Sequence, residues 1–384
     1  MAQAQLNGGL IYTDTARCIG CQDCIRKCPV QRANFVAVDE NGTDKIQVNG
    51  NECIFCGKCI DVCTHGARQF RDDCSAFFAD LKYGKKISLL VSPSFFLNYT
   101  NEHKNILGYL KSLGVNKFYN VSLWADLTIW AYLNYIRNNN ATVMISQPCP
   151  AIVSYIKKHQ PKLLDFLMPF QSTIMCVAIY LKKYLKINDD LAILGPCIGR
   201  KEELESPHTK NLIRYNVTYL SLMRHINKAG IDLNTYPEFY DESNLGISNL
   251  ISLPGGFREN LEFYLGDDVH ICQTENEQQV YEYLKGILDK KHDSVTPRLI
   301  LVDNCKRGCA YGTATEFRHT VNNNIQIAAE KLREIKNVAS LNGNNLQSKT
   351  ESFAKLNEKF KDLKLQDFMC CYTNKSISKQ NVKD

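Results

Sequence analysis

The sequence predicts an α/β domain with mainly parallel sheets, preceded by a small α+β domain that is rich in cysteine. Three observations lead to this prediction. Two cysteine-rich segments lie near the start, apolar strands alternate with helical segments from Lys85 onward, and three of the predicted strands lead directly into a cysteine. Strands separated by helices are typical of parallel sheets with helical crossovers. The predicted domains are 1–80 and 81–320, followed by a polar, lysine-rich helical tail at 321–384.

Composition places the chain among ordinary globular proteins. Its 384 residues are enough for two or three domains, and 44% apolar and 22% charged residues are typical values. A formal charge of +6 is mild and gives no reason to expect nucleic-acid binding.

No apolar run approaches the roughly 20 residues of a membrane helix, and the first residues lack the features of a signal peptide. We therefore expect a cytoplasmic protein whose 17 cysteines are reduced and in part bind metal.

The two cysteine-rich segments are repeats of one motif. CIGCQDCIRKCP begins at Cys18 and CIFCGKCIDVCT begins at Cys53, and both have the spacing C-x2-C-x2-C-x3-C. In two-cluster bacterial ferredoxins, three cysteines of such a motif bind one iron–sulfur cube and the fourth binds the other cube. The predicted ligands are Cys18, Cys21, Cys24 and Cys63 for cluster one, and Cys53, Cys56, Cys59 and Cys28 for cluster two. Zinc is the alternative, but the paired motifs favour two 4Fe–4S clusters and an electron-transfer module over about residues 10–72.

Four further cysteines follow predicted strands of the larger domain. Cys149 follows ATVMIS and a proline, Cys197 follows LAILGP, and Cys305 follows RLILVDN with Cys309 four residues later. Ligands of parallel α/β proteins bind at the carboxyl ends of strands, so these thiols are predicted to meet at one sheet edge. They are candidates for holding one metal cluster. Structural cysteines and a C-x3-C zinc site are the alternatives.

Four segments resemble the FeFe-hydrogenases. SQPCPAIVSYI is similar to the family signature TSCCPAW, LGPCIGRKEE to MPCTAKKFE, and VDNCKRGCAYG to MACPGGCxGGG. The segment LGVNKFYNVSLWADLTI also resembles a family segment that reads LGFDKVFDTSFGADLTI. The order of these segments, their spacing and the strands before them agree with the family over roughly residues 12–315. A weaker similarity lies at LQDFMCCYTN. We assign no function to Cys370 and Cys371 in that segment.

The resemblance implies a hydrogen cluster in the larger domain. A 4Fe–4S cube would be held by Cys149, Cys197, Cys305 and Cys309. Cys309 would also bridge to a two-iron unit with CO, cyanide and a bridging dithiolate, and Arg200 stands where the family has a lysine that contacts cyanide. The implied activity is reversible oxidation of H2 or reduction of protons. The ferredoxin-type cubes would exchange the electrons with an external one-electron carrier such as ferredoxin.

The sequence departs from the family at the positions that move protons. Pro148 stands at the place of the proton-transfer cysteine and has no proton to give. Tyr132 and Tyr135 align with two glutamates, and an ordinary tyrosine pKa near 10 makes a poor relay. Asp303 replaces a methionine and is either a substitute proton acceptor or, as we favour, the ion-pair partner of a basic residue after Cys305. Because positioned proton transfer is worth about 10² to 10⁴ in rate, we expect slow turnover with all clusters bound.

Three functions compete. The first, which we predict, is a slow hydrogenase-type oxidoreductase of a divergent branch that lacks the proton-transfer cysteine. The second is an H2 or redox sensor that signals through a partner protein, since no signalling domain is recognisable in this chain. The third is a noncatalytic iron–sulfur cluster protein, which two complete ferredoxin motifs argue against.

Overall fold

The computed structural model describes residues 9–139, 143–209, 211–239, 251, 255–265, 269–287, 297–316, 330 and 349–370. Its strands are β1 Ile11–Thr13, β2 Asn34–Val38, β3 Asp44–Val48, β4 Arg68–Phe70, β5 Ile87–Val91, β6 Phe118–Asn120, β7 Met144–Ile145, β8 Asp190–Gly195, β9 Tyr215–Thr218, β10 Ile271–Glu275 and β11 Leu299–Asp303. Its helices are α1 Asp23–Arg26, α2 Lys58–Asp61, α3 Cys74–Lys82, α4 Ser94–Asn98, α5 His103–Ser112, α6 Ala125–Asn138, α7 Pro150–His159, α8 Thr173–Ile179, α9 Arg200–Leu204, α10 Tyr219–Lys228, α11 Gly256–Leu265, α12 Gln279–Ile287 and α13 Lys349–Lys359. None of the described helices has the length and apolarity to cross a membrane.

The cysteine-rich module consists of two short antiparallel pairs, β1 with β4 and β2 with β3. Both cysteine repeats adopt the same backbone conformation between these strands. In each repeat, the residue two positions after the first cysteine has a left-handed backbone conformation: Gly20 (φ 72°) in the first and Phe55 (φ 55°) in the second. The residue four positions after that cysteine is also left-handed: Gln22 (φ 63°) in the first repeat and Gly57 (φ 81°) in the second. Equal spacing in the sequence therefore corresponds to equal local structure, as a duplicated cluster-binding loop requires.

The larger domain contains two parallel sheets, in the orders β6-β5-β8-β9 and β10-β11-β7. All strand pairs within them are parallel, which confirms the predicted architecture. The central strand β5 reads ISLLV and is buried along its whole length, as a parallel strand with both faces covered should be. We did not predict β9 or β10, which are edge strands with polar residues in their short sequences YNVT and ICQTE.

The predicted single sheet edge is wrong, because the four cysteines come from two sheets. Cys197 follows β8 of the four-stranded sheet, whereas Cys149 follows β7 and Cys305 follows β11 of the three-stranded sheet. The carboxyl ends of both sheets point into the same region. Gly312 allows this approach, since a Cβ there would lie 2.4 Å from the carbonyl oxygen of Pro196. The loop that follows Cys309 therefore packs directly on the loop that carries Cys197.

Part of the predicted C-terminal tail packs on the larger domain. The described residues 349–370 contribute the buried side chains of Leu356, Phe360 and Phe368 to the core around α6. The indole Nε1 of Trp130 donates a hydrogen bond of 2.9 Å to Asn357. The helix-rich stretch predicted at 327–337 lies outside the described residues apart from Glu330, and the boundary at residue 321 stays a prediction.

Replacement of Asp189 by asparagine is expected to destabilise the four-stranded sheet. Ser88 of β5 and Asn116 each donate a hydrogen bond of 2.6 Å to the Asp189 carboxylate. Burial raises the pKa of Asp189, but these hydrogen bonds outweigh it and hold the pKa below its usual value. The stabilisation is therefore present at neutral pH and lost as the pH falls through that lowered pKa.

Hydrogen bonds to a buried charge contribute about 1.5–3 kcal/mol, so the urea midpoint of Asp189→Asn should fall clearly at pH 7. Asp190→Asn is the matched control, because the Asp190 carboxylate forms a salt bridge with the half-exposed Arg214 at 3.4 Å, which contributes little. Equal midpoints for the two variants would contradict this account.

Candidate metal-cluster and catalytic site

The structure brings the predicted ligands of cluster one together. One small cavity of about 20 Å³ is lined by the four thiols Cys18, Cys21, Cys24 and Cys63. Three of them come from the first repeat and one from the second, which is the crossed arrangement that the spacing predicts. The backbone N–H of Ile46 donates to the Cys18 sulfur at 3.5 Å, and Cys21 is exposed at the surface.

The predicted ligands of cluster two also lie together. Burial raises the pKa of the Cys56 thiol well above its ordinary value, and the charges of Cys53, Cys59 and Cys28 raise it further. Such mutual effects require the four sulfurs to be close to one another. The backbone N–H of Phe55 donates to the Cys53 sulfur at 3.4 Å.

The four cysteines of the larger domain form a third group. Burial raises the pKa of the Cys305 thiol, and Cys149, Cys309 and Cys197 add to this effect through their charges. Burial likewise raises the pKa of Cys149 to about 12, ahead of the charges of Asp303 and Cys197. Cys149 is the N-cap residue of α7, and the following Pro150 occupies the first helical position, where proline is favoured.

Because burial raises the pKa of all four thiols of the third group, they are weak nucleophiles at neutral pH when no metal is bound. A bound metal would deprotonate them and release the protons. Among the described residues, no group of three or more metal-ligating side chains is close enough to hold a single ion. Thiolates around one zinc lie about 3.8 Å apart for Zn–S bonds of about 2.3 Å, whereas a cube takes one thiolate on each of four irons. For the two repeats, the crossed pairing of their cysteines is typical of cubes and not of zinc sites.

A cavity of about 110 Å³ lies beside the third cysteine group. Cys309, Arg200 and Pro148 line it, together with the polar side chains of Ser92, Ser146, Thr173, Gln273, Glu275 and Asp303. One water needs roughly 10–15 Å³ on this measure, so the space accommodates a compact group of several atoms. Cys309 lines this cavity and has a high exposed fraction, while burial by the surrounding protein raises the pKa of its thiol.

Arg200 is held at the wall of the cavity by a buried network. The side chain is 6% exposed and forms an ion pair with Glu203. Its guanidinium also donates to Ser172 Oγ at 3.0 Å and to the carbonyl oxygen of Pro148 at 3.3 Å. The Nε of Arg200 is buried and has no hydrogen-bond partner among the described residues. An acceptor-bearing group in the cavity, such as the cyanide that the resemblance implies, would satisfy it.

Pro148, Tyr132 and Tyr135, which stand at the places of the expected relay residues, do not form a proton relay at the cavity. Pro148 lines the cavity, but neither Tyr132 nor Tyr135 does. The hydroxyl of Tyr132 accepts a hydrogen bond of 3.0 Å from the backbone N–H of Gln147, and burial raises the pKa of Tyr132. Tyr135 packs edge-on against Phe170 with the ring centres 5.7 Å apart. Both tyrosines are therefore part of the core.

Asp303 faces the cavity and does not form the ion pair that we favoured. No salt bridge joins Asp303 to Lys306 or Arg307, all of which belong to the described residues. Burial, followed by the charge of Glu275, raises the pKa of Asp303 to about 6. Glu275 lies opposite Asp303 in the β10–β11 register. Two carboxyl groups on neighbouring strands thus share one wall, and the basic side chains of the following loop do not neutralise them.

Tyr281 and Asn304 connect the two domains and were missed by sequence reasoning. The pKa of buried Tyr281 is raised by burial and then by the charges of Cys56 and Cys149, so its ring lies between cluster two and the third cysteine group. Tyr281 donates a hydrogen bond of 2.7 Å to Asn304 Oδ1, and Asn304 Nδ2 approaches the Cys305 sulfur at 3.8 Å. No local motif marks Tyr281, which is an ordinary apolar position of α12.

Comparison with known proteins agrees with this geometry. Residues 85–262 match the family model described as iron only hydrogenase large subunit, C-terminal domain. Residues 17–67 match the model of a 4Fe-4S dicluster domain. Over 57 residues the chain is 33% identical to the ferredoxin-type protein NapH of Haemophilus influenzae, and over 63 residues it is 35% identical to NAD(P)H-quinone oxidoreductase subunit I of Gloeobacter violaceus. These matches span 15% and 14% of this chain, and only 20% and 29% of the relatives.

Solved structures extend the similarity of the fold to about three quarters of this chain. An FeFe-hydrogenase studied for oxygen inactivation at the 2Fe subcluster of its H cluster superposes with a TM-score of 0.55 at 15% identity, over 76% of this chain and 95% of that chain. The apo form of the FeFe-hydrogenase HydA1 from Chlamydomonas reinhardtii gives a TM-score of 0.56 at 14% identity, over 78% and 98% of the two chains. The chain is therefore a divergent FeFe-hydrogenase-like iron–sulfur protein with a two-cluster ferredoxin module on its N-terminal side.

Proposed function

We propose that this protein binds H2 and reversibly oxidises it, or reduces protons, at a hydrogen cluster, and that turnover is slow. The observation that carries this proposal is the cavity next to the third cysteine group, with Cys309 and the fixed cation of Arg200 on its wall. When bound, the hydrogen cluster supplies the heterolytic chemistry that interconverts H2 with two protons and two electrons. Cys149, Cys197, Cys305 and Cys309 would hold its cube, and Cys309 is the one of these four ligands that lines the cavity.

The residues of the chain have distinct proposed roles. Arg200 directs its buried guanidinium at the group in the cavity, and Glu203 and Ser172 keep it there. Asp303 is the proposed proton acceptor, since it faces the cavity and forms no salt bridge with another described residue. Pro148 supplies no proton, so transfer to the solvent depends on groups farther from the chemistry, which limits the rate.

The electron route follows the order of the cysteine groups. Cys56 of cluster two and Cys305 line one pocket, and Tyr281 lies between these two groups. Cluster one has the exposed Cys21 among its ligands. We propose that an external one-electron carrier exchanges electrons at cluster one, and that cluster two relays them to the catalytic cube.

A sensor is the second candidate, and the lining of the cavity favours it. Pro148 and the core tyrosines remove fast proton exchange while the proposed ligands remain. A protein of this kind binds H2 but seldom turns it over, and the redox state of its clusters is then read by a partner protein. A catalytic rate that stays low with a fully loaded cluster, together with an H2-dependent complex with such a partner, would favour the sensor.

An infrared spectrum of the anaerobically prepared, fully matured chain tests the proposal. Bands in the region of metal-bound carbonyl and cyanide are expected, because the cavity and Arg200 would hold the two-iron unit. The control is an active hydrogenase matured in the same way. A chain that binds three cubes but gives no such bands, while the control gives them, would be a noncatalytic iron–sulfur protein instead.

A further inference from the structure

Arg68 is a buried cation between the two ferredoxin-type cluster sites. Its side chain is 2% exposed and lines the same cavity as Cys18, Cys21, Cys24 and Cys63. The charge of Arg68 also acts on the cysteines of cluster two. Burial raises the pKa of the Cys59 thiol, and the Arg68 charge is the largest influence that lowers it. Arg68 has the same lowering effect on the pKa of Cys28 and Cys53, which burial raises. The Asn34 side chain that accepts a hydrogen bond from Arg68 is also hydrogen-bonded to the Cys28 thiol, so one guanidinium lies close to both groups of proposed cluster ligands.

No carboxylate compensates this charge within the described residues. The partners of the Arg68 side chain are the Thr13 hydroxyl, at 2.6 Å, and the Asn34 side-chain oxygen. Both acceptors are neutral, and the Nε of Arg68 is buried without a partner. Burying an unpaired charge is costly, so a buried arginine is ordinarily paired with a negative group. The groups of negative charge that the site provides are the two thiolate-bound cubes.

We propose that the charge of Arg68 raises the reduction potential of both ferredoxin-type cubes, because it stabilises their negative charge. A cube with four thiolates is anionic and gains a further negative charge when it accepts one electron from the external carrier. A cation in the protein interior favours the reduced form more strongly than one in water does. This inference depends on the proposed function in one respect, which is that both ferredoxin-type cubes must be bound.

The test is a redox titration of the full chain, loaded anaerobically with iron and sulfide and followed by electron paramagnetic resonance. Arg68→Gln should shift the one-electron equilibrium of both cubes at least tenfold toward the oxidised form, which corresponds to about 59 mV. Arg68→Lys keeps the charge and should stay closer to the wild type. Arg71→Gln is the matched control, because Arg71 is exposed and lies over the Tyr12 ring at 4.9 Å, where water screens its charge. Unchanged potentials in Arg68→Gln, with both cubes bound, would overturn the proposal.

Asn34→Asp decides the question if Arg68→Gln fails to bind the cubes. This nearly isosteric change places a carboxylate on the guanidinium through the existing contact, and it should lower both potentials while Arg68 stays in place. Potentials equal to those of the wild type would again overturn the proposal. The titration needs no two-iron unit, so it is independent of H2 activity. A wild-type chain without the two cubes would instead contradict the ferredoxin part of the proposed function, and the role of Arg68 with it.

Discussion

Replacement of Pro148 by cysteine is expected to raise H2 turnover by about 10²-fold, at the lower end of the range for positioned proton transfer. Pro148 lines the cavity, so a thiol at this position would reach the group bound there. The gain stays at the lower end because the next group, Tyr132, has a pKa raised by burial and accepts protons poorly. The measurement is H2 evolution from a reduced viologen dye, expressed per two-iron unit as judged by the infrared bands.

Pro148→Ala is the matched control, since it removes the ring without supplying a thiol, and its rate should stay at the wild-type level. The double variant with Tyr132→Glu should be faster than Pro148→Cys alone, because a carboxylate can accept the hydrogen bond that Gln147 now donates to Tyr132. An unchanged rate in Pro148→Cys with intact clusters would show that the missing relay does not limit turnover.

Replacement of Cys305 by serine is expected to abolish H2 activity and to remove one cube of the three. Cys305 lies among the other three thiols of its group, and a cube that loses one of four ligands in a buried site is strongly weakened. In the chain loaded with iron and sulfide alone, iron content should fall by about four atoms per chain, while the resonance signals of clusters one and two remain. Iron analysis together with the spectrum of the reduced chain measures both effects.

Cys74→Ser is the control for this experiment. Cys74 is also a free cysteine, but it is buried at the start of α3 and packs in the core with residues of β5. Its replacement should leave the iron content and the activity near wild-type values. If Cys305→Ser keeps its full iron content, the third cysteine group does not hold a cube and the proposed catalytic site is wrong.

The ferredoxin module could be predicted almost completely from the sequence. Its ligands are close in the chain, so the spacing C-x2-C-x2-C-x3-C determines which thiols meet, and the left-handed residues Gly20 and Phe55 recur at equivalent positions. Arg68 could not be recognised in this way. Nothing in its local sequence indicates that antiparallel pairing of β4 with β1 places it beside Thr13, between two clusters.

In the larger domain, local sequence determined less of the site. Apolar runs such as ISLLV identified most parallel strands, and the resemblance indicated which cysteines belong together. Neither showed that Cys197 comes from one sheet and Cys149 and Cys305 from another, because the assignment of strands to sheets depends on long-range pairing.

The sequence by itself determined the architecture, the cluster motifs and the loss of the proton-transfer cysteine at Pro148, because these depend on residue type and spacing along the chain. Only the tertiary structure decided the state of individual side chains. It paired Arg200 with Glu203, left Asp303 without the ion pair that its basic neighbours suggested, and placed Tyr281 between two cluster sites. Burial and charge compensation at a site are set by segments distant in the chain, and these segments meet only when both sheets and the module pack together.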